Sequence, residues 1–244
     1  MQHTLTVKAH AQFILLLDPD KLPISDVSSV VKGSIEAGVD IFFIGSSIII
    51  DSNFDLFVKE VKQHAEDKPV IIFPGGSMQV SSHADGILFM SLISGRNPDF
   101  LIGQQVLASA NVKRSGIKAI PTAYMLVESG VTTSVEFMSN TKPLPPEKAD
   151  ITVAHAMAAE LLGFKLIYLE AGSGAINPVS NKLIYATKKS VDLPLIVGGG
   201  IKTPEIAAEK VKAGANFIVC GTVFEDNTYN FKQLKDIVTA VHES

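Results

Sequence analysis

Asp18, Tyr168, Glu170 and the three glycines Gly198 to Gly200 are the residues whose types and settings suggest chemistry. Each stands at or near the end of a short apolar run. The first run, "FILLLD", closes on Asp18 and continues as "PDK". A carboxylate in that position suits Mg²⁺, which prefers a carboxylate, several waters and phosphate oxygens. A turn aspartate before a proline is the plainer alternative. The second run ends "GSS" (45–47) and supplies hydroxyls close by. The sixth ends "YLEAGSGA" (168–175), which gathers a phenol, a carboxylate, a serine and two glycines. Tyr168 and Glu170 share a parity, so both point to one side of a strand. A carboxylate there can accept a hydrogen bond from an alcohol and serve as its general base. A structural glutamate paired with a lysine is the alternative.

The seventh run, in "LPLIVGGGIKTPE", breaks into three glycines ahead of a helix start. Adjacent glycines cost backbone entropy on folding, so something should need bare backbone there. The eighth run ends in Gly221-Thr222. In a βα barrel, the loops after strands 7 and 8 are a common phosphate site. Glycines let backbone N–H groups approach phosphate oxygens, and the dipole of the next helix favours the anion. A tight strand-to-helix turn that binds nothing is the alternative for the glycine run taken alone.

These residues need a scaffold that brings several strand ends together. Eight apolar runs recur: 13–18, 40–45, 69–74, 86–91, 117–126, 164–170, 194–199 and 216–221. They do not alternate polar and apolar, are rich in Ile, Val, Leu and Phe, and stop at Gly, Pro or Asp. That is the pattern of buried parallel strands. Helical spacing appears between most of them, as in Val27, Val30, Val31 and Ile35, and in Phe231, Leu234, Ile237, Val238 and Val241. Thr203-Pro204-Glu205 reads as an N-cap, a proline at the first helical position and an early acid. The expected fold is therefore one (β/α)₈ TIM barrel over residues 1–244. The segment "GGSMQVSSHAD" (75–85) shows no helical pattern, so the third crossover is expected to be modified. A doubly wound open sheet is the rival architecture. The polar stretch Glu128 to Lys148 would be a top-face loop, where barrels bind substrates.

Composition narrows the function. A net charge of -4 and the absence of any Lys/Arg-rich run argue against a general affinity for nucleic acid or anionic membrane. A single cysteine, Cys220, excludes an internal disulfide and fits a reducing, cytoplasmic setting. The apolar stretch near the N-terminus, Phe13 to Leu17, is too short for a secretion signal. No segment approaches the ~20 apolar residues of a membrane span. The mean hydropathy of +0.28 fits strands buried on both faces. The six histidines are scattered, and no zinc, Walker, GxSxG or aspartate-rich DDxxD pattern occurs.

Taken together, "LLDPDK", "FFIGSS", "YLEAGSGA", "VGGGIKTPE" and "FIVCGT" resemble the geranylgeranylglyceryl phosphate synthase family, which includes the bacterial heptaprenylglyceryl phosphate synthases. "GILFMSLISGRNPDFLIGQQVLA" (86–108) and "IPTAYMLVESG" (120–130) carry the resemblance further, and it runs over nearly the whole chain. It implies a Mg²⁺-dependent prenyltransferase on a barrel with a modified third crossover. The sn-3 hydroxyl of sn-glycerol 1-phosphate would attack C1 of a polyprenyl diphosphate, geranylgeranyl diphosphate in particular. Asp18 and Ser47 would hold Mg²⁺, with Ser46 as the nearby alternative. Glycerol phosphate would be held by Tyr168, Leu169, Glu170, Ala171, Gly172, Ser173 and Gly174, with Gly199, Gly200, Gly221 and Thr222. Glu170, beside Tyr168, would orient or deprotonate the hydroxyl. The resemblance also implies a homo-oligomer, dimer or hexamer. A lipid-like product implies transient contact with a membrane. In one departure, some family members carry a lysine two positions before the aspartate, where this chain has Leu16. The longer "EAGSG" loop places it nearer the family's second branch.

A second enzyme class would use the same cradle: a barrel isomerase or aldolase acting on a sugar phosphate, with Glu170 or Asp18 as base. A long apolar groove in the barrel wall favours prenyl transfer; a small closed polar pocket favours the sugar phosphate. A phosphate- or lipid-binding barrel without catalysis is the third reading. Asp18, Ser47, Tyr168 and Glu170 argue against it, because binding alone needs no acid beside a hydroxyl. Phe100 and Tyr124 either line the groove or belong to the core.

Overall fold

Within each apolar run, side chains divide by parity. Ile14 and Leu16 of β1 (Gln12–Leu17) face one apolar cluster; Phe13, Leu15 and Leu17 face another. The first cluster fills the inside of a closed barrel, and the second lies between the barrel and its helices. Strands covered on both faces need no polar alternation, which is why the runs read as continuously oily. The computed structural model describes residues 5–50, 53–221 and 229–244.

The other strands are β2 (Ile41–Ile44), β3 (Val70–Ile72), β4 (Gly86–Leu92), β5 (Lys118–Leu126), β6 (Leu166–Glu170), β7 (Leu195–Gly198) and β8 (Phe217–Cys220). Each pairs in parallel with its sequence neighbours, and β1 pairs with β8, with Leu15 opposite Cys220. The expected (β/α)₈ barrel is thus observed, and the open sheet is excluded by the β1–β8 pairing. Pro121 sits within β5, where a missing N–H would normally break a ladder. Pairing with β6 begins only at Thr122, and the Pro121 carbonyl still accepts from Lys165 N at 2.9 Å. The missing donor would face that same β6 side, one residue before the paired register begins, so the ladder to β4 is intact.

Helices α1 (Ile24–Glu36), α2 (Phe54–His64), α3 (Gln104–Ser115), α4 (Ser134–Ser139), α5 (Ala149–Leu161), α6 (Asn181–Ser190), α7 (Pro204–Lys212) and α8 (Phe231–His242) surround the barrel. Thr203 caps α7 as expected, its hydroxyl accepting from Ile206 N, with Pro204 in the first turn. No helix joins β3 to β4, so the third crossover is modified as expected. Gln79, buried within this link, braces it: its Oε1 accepts from Gly75 N at 3.0 Å, and its Nε2 donates to the Ser46 carbonyl at 2.9 Å. A π-helical turn, Asp99–Gly103, leads into α3. Ser91 Oγ donates to the Leu101 carbonyl at 2.7 Å, and the Gln105 amide donates to the Met90 and Phe100 carbonyls. Side chains that engage helix carbonyls in this way widen a turn. Among the described residues, no helix is long and apolar enough to cross a membrane.

Candidate active site

The interior parity that places Ile14 and Leu16 inside the barrel carries on to Asp18, one residue past β1. In β6 it selects Leu166, Tyr168 and Glu170, and in β7 Ile196 and Gly198. The strand ends therefore bring a carboxylate, a phenol with a second carboxylate, and a bare glycine to one mouth. One cavity of about 380 Å³ opens there.

Glu170 is almost fully buried, at 6% exposure. Burial pushes its pKa up to about 7, although the Gly172 N–H, donating to Oε1 at 2.6 Å, and the Tyr168 phenol oppose the rise. A carboxylate poised there can take a proton near neutral pH. The Tyr168 and Tyr124 phenols are driven well above their usual value, by burial first and then by the Glu170 charge, and remain donors. Tyr168 Oη is buried beside the Glu170 carboxylate, and no hydrogen bond of good geometry holds it among the described residues. A buried hydroxyl so loosely held, facing a cavity, calls for a polar ligand. Below it, Phe73 stacks on Tyr168 at 5.1 Å, and Tyr124 meets Tyr168 edge-on at 5.3 Å, forming an aromatic floor.

The glycine run now has a physical reason. A Cβ at Gly198 would lie 2.6 Å from Tyr168 Oη and 2.8 Å from Glu170 Oε2. Gly199 has φ +82°, and a Cβ there would collide with Glu170 Oε1 and lie 2.6 Å from Gly172 N. Only glycine fits this close approach of backbone to carboxylate. Gly199, Gly200 and Gly221 all line the cavity.

Asp18 lies across the mouth. Its Oδ1 accepts from Asp20 N at 3.0 Å, its Oδ2 accepts from Ser46 Oγ at 3.0 Å, and Lys21 Nζ stands 3.7 Å from Oδ2. Ser47 lines the same cavity, but the hydroxyl bonded to Asp18 belongs to Ser46. Among the described residues no three His, Cys, Asp or Glu side chains gather as a metal cage. One carboxylate with adjacent hydroxyls, beside room for a phosphate-bearing ligand, nevertheless fits Mg²⁺, which keeps its waters and shares substrate oxygens.

Tyr168, Glu170, Gly172, Ser173 and Gly174 line the cavity as the sequence suggests. Leu169 and Ala171 do not. Their opposite parity turns both side chains to the helix layer, and Ala171 N is already used by the Gly198 carbonyl at 3.1 Å. Thr222 lies outside the described residues. Phe100 and Tyr124 both line the cavity, and Leu16 forms part of its wall.

From this polar mouth the cavity continues along an apolar wall of Phe73, Val80, Ile87, Phe89, Phe100 and Ala108. The extended link between β3 and β4 and the turn before α3 frame it, where a crossover helix would otherwise stand. The segment after β5 adds Ser134, Val135 and Met138. Sequence reasoning missed Phe73, Gln79 and Gln105. The interior parity of β3 extends from Ile71 to Phe73; the glutamines carried no local signal.

The chain matches the PcrB family over residues 6–241. The geranylgeranylglyceryl phosphate synthase of Spirosoma linguale is 44% identical over 95% of this chain and 93% of its own. That of Methanosphaera stadtmanae is 40% identical over 97% and 96%. The crystal structure of (S)-3-O-geranylgeranylglyceryl phosphate synthase from Thermoplasma acidophilum, in complex with its substrate sn-glycerol-1-phosphate, superposes with a TM-score of 0.89. It is 33% identical and covers 97% of this chain and 95% of that one.

Proposed function

The chain belongs to the PcrB family, and we propose that it joins sn-glycerol 1-phosphate to a polyprenyl diphosphate, of geranylgeranyl length, through an ether bond. One observation carries this reading. The mouth that holds Glu170, Tyr168 and the glycines is continuous with an apolar groove in the barrel wall. A sugar-phosphate isomerase needs the first feature and has no use for the second.

Glycerol phosphate sits with its anion against the backbone of Gly199, Gly200 and Gly221, where N–H donors and the α7 N-terminus favour negative charge. Its free hydroxyl lies at Glu170, and the Tyr168 O–H turns to donate to the bound alcohol. The hydroxyl oxygen attacks C1 of the prenyl diphosphate. The C–O bond to diphosphate breaks, diphosphate departs with the bonding pair, and the hydroxyl proton passes to Glu170. Asp18, with the Ser46 or Ser47 hydroxyl, would hold Mg²⁺, whose charge would neutralise the leaving diphosphate. With Leu16 apolar, further positive charge comes from Lys21 and Lys202, both in the cavity wall. The prenyl chain lies along Phe73, Val80, Ile87 and Phe89, held so that C1 meets the hydroxyl. The same reading carries a homo-oligomer, dimer or hexamer, working in the cytoplasm.

Diphosphate release from geranylgeranyl diphosphate tests the reaction. Release is expected only with sn-glycerol 1-phosphate and Mg²⁺ both present. Release without the glycerol phosphate, at an equal rate, would make the protein a hydrolase and contradict ether formation.

A further inference from the structure

The mouth of the barrel is apolar outside as well as inside. Ile50, Met78 and Phe137 are 88%, 86% and 78% exposed. They belong to segments that follow β2, β3 and β5, and segments after strands share one end of a βα barrel. Single exposed apolar residues are ordinary; several large ones on segments at one end of the barrel are not. Two more residues join this rim to the groove. Ile48 and Met138 line the cavity yet remain 48% and 45% exposed. Apolar side chains are thus present both on the outer surface of this end and at the entrance to the groove. With a net charge of -4, the chain offers no general attraction to anionic lipid, so the contact this rim can make is apolar.

We infer that the mouth of the barrel docks on a lipid surface, so that a prenyl chain passes between bilayer and groove without crossing water. The inference rests on the prenyltransferase reading, which makes both the donor and the product lipids. Shallow insertion of a few large apolar side chains is enough for reversible binding whose strength follows the buried apolar area.

Flotation with phosphatidylcholine vesicles tests it. The wild type is expected to float with the vesicles, and about as well in ~0.5 M salt, because an apolar contact is not screened. A triple variant, Ile50→Ser, Met78→Ser and Phe137→Ser, should reduce binding at least about tenfold. These side chains touch no catalytic group and are solvent-exposed, so the fold should persist. Leu161→Ser is the control. Leu161 is 88% exposed but lies at the C-terminus of α5, at the opposite end of the barrel, and its loss should leave flotation unchanged. The triple variant should turn over a soluble short-chain prenyl diphosphate within about twofold of the wild type, but slow about tenfold on a C20 diphosphate carried in the bilayer.

A wild type that stays unbound, or a triple variant that floats equally well, overturns the proposal. So does a triple variant that loses self-association in gel filtration while the wild type ignores vesicles, which assigns the rim to a second copy of the chain. If the wild type fails on the soluble substrate, the transfer reading falls instead, and flotation decides the surface alone.

Discussion

Glu170 works against the stability of its own fold. Its pKa is near 7 in the barrel, above the usual 4.5 of a glutamate. The fold therefore favours the protonated form. Stability from this group is complete below pH 4.5 and is lost as pH rises through about 7. A shift of that size corresponds to ~3 kcal/mol. Glu170→Gln should thus melt no lower than the wild type at about pH 8, with its advantage shrinking near pH 5. An equal loss at both pH values would contradict the buried-carboxylate account. For turnover the sign reverses, because the base must be ionised. The kcat/KM of the wild type should climb with pH and level off above about 7. Glu170→Gln should lose about 10²- to 10⁴-fold in kcat and that pH dependence with it. Asp18→Asn should lower Mg²⁺-dependent turnover at least about 100-fold with an unchanged melt; near-normal turnover removes Asp18 from the mechanism. These residues were legible in the sequence because each is a polar residue ending a buried run, where neither core packing nor solvation explains it. Which of Ser46 and Ser47 bonds to Asp18 was not legible. It depends on how the loop after β2 curls against Gln79, 33 residues away along the chain.

Among the elements, the turn after β7 is the most constrained. Gly199→Ala would force a side chain to φ +82° and into Glu170. Backbone strain of about 1–3 kcal/mol is expected, with a raised KM for glycerol phosphate because the displaced backbone no longer presents its donors. A melt and KM equal to those of the wild type would show that the turn tolerates a Cβ and that the glycine run has another cause. The strands and this turn could be read from one-dimensional patterns, since apolar runs and glycines act through their own backbone. The missing third helix was legible as an absence of periodicity in 75–85. What replaces it was not, because Gln79 and Gln105 hold their places through bonds to distant carbonyls. The outward parity of the Leu169 and Ala171 side chains follows from strand alternation; the resemblance alone grouped them with their neighbours.

At the end of the barrel away from the site, one carboxylate ties distant segments together. Asp40 accepts from Phe13 N at 2.9 Å, Lys8 Nζ at 3.1 Å and His242 Nε2 at 2.7 Å, tying the start of β1 to the end of α8. Burial raises its pKa, but those three partners together bring it below the usual 3.8. Its contribution is present above that value and lost as pH falls through the lowered one. Asp40→Asn should cost about 1–3 kcal/mol of stability and leave kcat unchanged; a large fall in kcat in the folded variant would mean that the two ends of the barrel are coupled. Separating closure from chemistry in this way frees the mouth to remain polar, open and partly apolar at its rim. Ether formation itself is measured by transfer of radiolabelled sn-glycerol 1-phosphate to C15, C20 and C35 prenyl diphosphates, with Mg²⁺ and with EDTA. Label should enter an organic-extractable product only with Mg²⁺, with C20 among the accepted chains. No extractable label with any chain length, from protein shown to be folded, would contradict the account and return the barrel to sugar-phosphate chemistry.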